Sequence, residues 1–192
     1  MINNILSDLN WVDILMGCII LRCIYMGARK GLVAEFFQLI GAFFATFIIL
    51  HYYIKFANFL HYALSTPADF NELVGFILLW LIVFVIFKIV CEGWMFILKG
   101  EPHTLINKWG GVLLAIPRAA LVCSLTFVLL FIANNKLLVK MSRSSLTGYY
   151  LIPLSAYVYE TAYEKMVVKV FPAEEKNEKV LKLIKGEDKK QP

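Results

Sequence analysis

Six ionisable side chains stand inside long apolar runs of this chain: Asp13, Arg22, Glu35, Lys88, Glu92 and Arg118. Three acids face three bases, so the set can be compensated inside a bundle without external ions. In a membrane, charges of this kind are functional candidates, and Asp13, Glu35, Arg118 and Glu92 are the types that would line a proton or solute path. Spacing sorts them further. Lys88 and Glu92 are four residues apart on one helical face, where a direct pair near the headgroups would satisfy both. Asp13 and Arg22 are nine apart, about 180° round a helix, and cannot pair with each other on it. Arg22 then either reaches its long stem toward the headgroups or meets an acid on another helix. Pro117 removes a backbone donor beside Arg118, which bends the helix and admits water or a partner to the guanidinium.

Other chemistries find little footing. Cys18, Cys23, Cys91 and Cys123 all lie in apolar runs without Cys-x-x-Cys spacing and read as packing residues. His51, His61 and His103 fall singly in connecting segments, so no metal site is expected, and nothing calls for a cofactor. A Gly-x-Ser-x-Gly elbow and a Walker glycine loop are both missing, which argues against an enzyme.

The elements that must position the six charges are membrane-spanning helices. Hydrophobic residues make up 60% of the 192 and charged ones 17%, against about 45–50% and 25% in soluble domains. We expect an all-α polytopic membrane protein with four transmembrane helices, over residues 11–27, 32–52, 73–98 and 110–133, plus interfacial amphipathic helices. The first two form a hairpin about Gly27-Ala28-Arg29-Lys30-Gly31, and Trp11 sits where indole rings favour the interface. The first span reads as an uncleaved signal anchor, because no base precedes Arg22. In the second span Gly31, Glu35, Gln38, Ala42, Ala45 and Thr46 form a small and polar stripe facing other helices, while Phe36, Phe37, Phe43, Phe44 and Phe47 face lipid. Residues 52–71 read as a separate interfacial helix, and Thr66-Pro67-Ala68-Asp69 as the start signal of the next span. In the fourth span Gly111, Ala115, Ala119 and Cys123 recur every four residues, a spacing that permits close helix contact.

After the spans the character changes. Residues 136–172 read as a membrane-proximal amphipathic segment, with a helix starting after Pro153 and carrying Tyr159, Tyr163, Met166, Val167 and Val170 on one face. Residues 173–192 form a charged, largely disordered tail with at most a short helix near Lys179 to Ile184. From Asn134 onward eleven bases outnumber seven acids, which favours anionic headgroups of the bilayer as a partner; no nucleic-acid motif is present. Four spans put both termini on one side. The two short turns carry Arg29, Lys30, Lys99 and Lys108 and the other side an equal number near the membrane, so positive-inside counting ties; the short turns are placed in the cytoplasm.

These residues resemble the CvpA, or colicin V production protein, family of bacterial inner-membrane proteins over about residues 11 to 155. Trp11-Val12-Asp13, followed by Lys30, Gly31 and Glu35, is similar to its opening pattern of Trp-x-Asp, basic-Gly and Glu. Asn107, Lys108, Gly111 and Arg118 are similar to its second pattern, Asp-Arg-x-x-Gly then Gly-x-x-Arg-Gly. Asn107 stands where the family usually has Asp, Ala115 and Ala119 where it has Gly, and Tyr149 where a Ser is expected before Leu151-Ile152-Pro153. The resemblance implies a non-enzymatic accessory role in colicin V production or export and in envelope maintenance, with a protein partner or a homo-oligomer in the inner membrane. A small transporter or channel using the intramembrane charges is the alternative.

Overall fold

Apolar runs in lipid must bond their own backbone, and helices do so within one segment. In the computed structural model, which describes residues 10–64, 68–98, 105–133, 135–167 and 176–185, the chain is helical with no strand among those residues. The elements are α1 (Trp11–Lys30), α2 (Leu32–Leu64), α3 (Ala68–Leu98), α4 (Leu105–Ile132), α5 (Lys136–Ser144), α6 (Leu146–Ala162), a π-helical turn (Tyr163–Val167) and α7 (Glu178–Lys185). Helices α1 to α4 are each long and apolar enough to cross a membrane. The protein is an all-α polytopic membrane protein.

The four long helices form a row. Helix α1 packs chiefly on α4, α4 on α2, and α2 on α3, so α1 and α3 stand at opposite ends. Gly27 and Gly111 bring α1 and α4 together: a Cβ on Gly27 would lie 2.6 Å from the Gly111 carbonyl oxygen and 2.7 Å from the Ala115 Cβ. Small residues at this crossing let two backbones touch. Ala115, Ala119 and Cys123 continue the same buried seam.

Residues 52–64 continue α2 instead of forming a separate interfacial helix. They hold neither Pro nor Gly, and Ile49, Leu50, Tyr53, Ala57 and Leu60 make one unbroken buried stripe that rewards continuation. The 33-residue helix therefore runs well beyond the 20-residue α1. Thr66 and Pro67 lie outside the described residues. Of the phenylalanines read as lipid-facing, Phe36 and Phe44 are exposed, but Phe47 turns inward and stacks on His51 and Tyr159.

Helix α6 begins at Leu146, before Pro153 rather than after it. Ser145 caps it, its Oγ accepting the Gly148 N–H at 2.9 Å. Pro153 sits on the exposed face, where the carbonyl it leaves unbonded can meet water or headgroups. Tyr159 is buried on the core side of α6; the side chains of Met166 and Val167 and all of Val170 lie outside the described residues. The short helix expected near Lys179 to Ile184 is present as α7, and it is docked on the bundle instead of free. Helix α7 buries Val180, Leu181 and Ile184 in one core with Ile49, Leu50, Tyr53, Phe76, Leu125, Val128 and Tyr159. A second, smaller core joins Val12 and Met16 of α1 to Cys123 and Phe127 of α4.

Candidate functional site

Glu35 lies just inside α2, after the Gly31 turn, and its side chain is fully buried. Its Oε1 pairs with Arg118 Nε of α4. Arg118 also donates from Nη1 to Gln38 Oε1 at 2.7 Å and from Nη2 to the Cys23 carbonyl oxygen at 3.3 Å. One guanidinium thereby ties α4 to α1 and to two positions of α2, as its planar fork of donors permits. Glu35 Oε2 is buried and has no hydrogen-bond partner among the described residues. Among the described residues Glu35 is the one buried carboxylate with an oxygen left over.

The turn above this node is built by residues of both sequence patterns. Gly31 adopts φ 83°, a left-handed value that side chains resist. A Cβ there would also come within 2.6 Å of Asn107 Nδ2. Asn107 Oδ1 accepts the Leu32 N–H at 2.6 Å, satisfying an orphan donor at the start of α2. An amide supplies that acceptor as well as a carboxylate does, so the fastening at this turn needs no charge on residue 107. Lys30 closes the last turn of α1 and Lys108 is exposed, so both cations lie at this end of the bundle.

Asp13 works at the other end. Its Oδ1 accepts the Thr147 hydroxyl at 2.7 Å and the Thr147 N–H at 3.0 Å, and its Oδ2 accepts the Asn10 N–H at 3.3 Å. A carboxylate at the N-terminus of α6 answers both the orphan donors and the positive end of the helix dipole. Trp11 supports the same junction, donating from Nε1 toward the Met141 Sδ at 3.0 Å.

Among the described residues, Glu35 and Arg118 compensate each other inside the bundle, while the pair expected of Lys88 and Glu92 forms on the outside. Lys88 and Glu92 approach each other at 3.9 Å, yet their side chains are 57% and 63% exposed, on the outer face of α3. Arg22 is exposed on α1 and has no partner among the described residues. Sequence reading missed two contributors, Thr147 and the tail. Tyr159 Oη lies 3.1 Å from His51 Nδ1 and accepts the Asn177 N–H at 2.8 Å, while Asn177 Nδ2 donates to the Leu50 carbonyl oxygen at 2.8 Å. Nothing in the spacing of His51, Tyr159 and Asn177 announces this cluster, because three separate elements supply it.

Comparison with known families bears on these positions directly: residues 12–155 match the colicin V production protein family. The chain belongs to that family. Searches among curated proteins and among solved structures return no match. Within the colicin V production protein match fall Asp13, Gly31, Glu35, Asn107, Gly111 and Arg118, and each now has a physical role in joining one helix to another. The match ends before Tyr159 and α7, so the tail cluster lies outside it.

Proposed function

We propose that this protein is a non-enzymatic inner-membrane factor that assists colicin V production or export and envelope homeostasis by docking a protein partner. Family membership supports the setting. The observation that carries the docking reading is the use of the polar interior: Asp13 caps α6, and Arg118 with Glu35, Gln38 and Cys23 ties three helices. Groups spent as fasteners do not line a path. Surface is left for partners, since Tyr62, Phe59, Tyr149, Tyr150 and Tyr157 are all exposed beyond or beside the spans.

A second reading keeps one observation in its favour. Glu35 Oε2 is fully buried without a hydrogen bond among the described residues, which suits a carboxylate that exchanges a proton. Reconstitution into liposomes separates the two. Proton or solute flux abolished by Glu35→Gln defeats docking, whereas partner crosslinking in cells that survives Glu35→Gln, with no flux from the wild-type protein, defeats conduction.

A further inference from the structure

Charges on the outside of a membrane bundle are expensive unless something covers them. Three of them sit on the two ends of the helix row: Arg22 on α1, and Lys88 with Glu92 on α3. Their heights within the bundle can be compared through contacts already described. Arg118 reaches both the Cys23 carbonyl and Gln38, which sets those residues at one level. Gly41 of α2 faces the Phe87 ring of α3. Since α2 and α3 run in opposite directions, Gln38 lies opposite a point about three residues beyond Phe87. Arg22 and Glu92 are thus within about one helical turn of the same height, on opposite flanks, Arg22 about 12 Å and Glu92 about 8 Å from the Lys30 end of α1.

The strips around them match. On α1 the exposed residues Leu15, Cys18, Arg22 and Tyr25 follow one face; on α3 Leu81, Val85, Lys88 and Glu92 do the same. Beside Glu92, a Cβ added to Gly93 would meet nothing within 4 Å, so a neighbouring helix can come close there. The two helices also run in the same direction across the bilayer, so copies in one membrane can place them side by side without inversion.

We propose that copies of this chain associate head to tail, the α1 strip of one copy seating on the α3 strip of the next, with Arg22 paired to the neighbour's Glu92. A second copy is the occupant that supplies the complementary charge at the matching height. It gives Arg22 the acid it lacks, and Glu92 then lies between the neighbour's guanidinium and its own Lys88 at 3.9 Å, so that none of the three is left without an opposite charge beside it. The contact joins two different patches, so it generates a ring if the rotation closes and a longer array if it does not.

Thiol crosslinking of the full chain in its own membranes tests this. Cys18 is a native exposed thiol about one turn from Arg22, and Ile89, 64% exposed, lies about one turn from Glu92. Oxidation of Ile89→Cys should give a ladder of multimers, because every copy then carries one thiol on each strip; adding Cys18→Ser should abolish it. A dimer formed by Ile89→Cys in the Cys18→Ser background shows α3 meeting α3 about a two-fold axis and overturns the proposal. So does the absence of any ladder. Arg22→Glu alone and Glu92→Arg alone should each weaken the ladder about tenfold, the worth of one good polar contact between membrane helices. The two together should restore it, an outcome that an arginine merely reaching for headgroups does not produce. A doubly substituted chain that inserts normally yet gives no ladder overturns the proposal as well.

Discussion

A carboxylate cut off from water must be compensated or protonated, and Glu35 is compensated on one oxygen only. Removing its partner should therefore hurt more than neutralising it. Arg118→Ala leaves a buried charge unpaired, a loss of about 3–5 kcal/mol, whereas Glu35→Gln keeps a hydrogen-bonding side chain and should lose about 1–3 kcal/mol. Thermal unfolding in detergent gives the order. Exchanging the two residues should recover part of the stability, since the pair reforms while the bond from Arg118 to Gln38 is lost. At Gly31 the effect is one of backbone and space. Gly31→Ala places a side chain at φ 83° and against the Asn107 amide, so it should destabilise by about 1–2 kcal/mol or more. If Gly31→Ala unfolds at the wild-type temperature, the assigned turn geometry is wrong.

Between elements, the junction that matters is the one Asp13 makes with α6. Asp13→Ala removes acceptors from the Thr147 hydroxyl and N–H and should loosen α5 and the start of α6 while α1 to α4 stay inserted. The expected signature is faster amide exchange at Thr147 by about tenfold or more, from the loss of roughly 1–3 kcal/mol; unchanged exchange there would refute the junction. The four spans were legible in the sequence because lipid imposes a length and a polarity that few other environments do. The polar stripe from Gly31 through Glu35 and Gln38 was legible too, since amphipathicity in an apolar helix has few other uses. The extents of α2 and α6 were not. Tyr52 and Pro153 look like ends from local propensity, but a buried stripe in one and a Ser145 cap in the other override it. Direction of facing was hidden as well: Lys88 and Glu92 have the spacing of an ion pair whether they point into the bundle or away from it.

For the molecule as a whole, the row of four helices is finished at one end by chain that composition alone assigns to solvent. Helix α7 carries Lys179, Lys182 and Lys185 on its exposed side, yet Val180, Leu181 and Ile184 enter the main core, and Lys179 meets Glu72 of α3. A period of three and four apolar positions in eight residues is too short a signal to outweigh so many charges, which is why the sequence reads as tail there. What holds α7 in place is polar as much as apolar. Tyr159 on α6 receives the Asn177 N–H at the entrance to α7 while lying against His51 of α2, so one hydroxyl serves three elements. Tyr159→Phe keeps the ring and its stacking on Phe47 but leaves the Asn177 N–H unanswered, for a loss of about 1–3 kcal/mol borne by the docking of α7 rather than by the spans. Limited proteolysis should then cut near Lys176 to Lys185 at least several-fold faster than in the wild type, with residues 11–132 still protected by membrane. Equal cutting rates would mean that the apolar contacts of Val180, Leu181 and Ile184 hold α7 unaided, and that the tail is sealed to the bundle independently of the tyrosine.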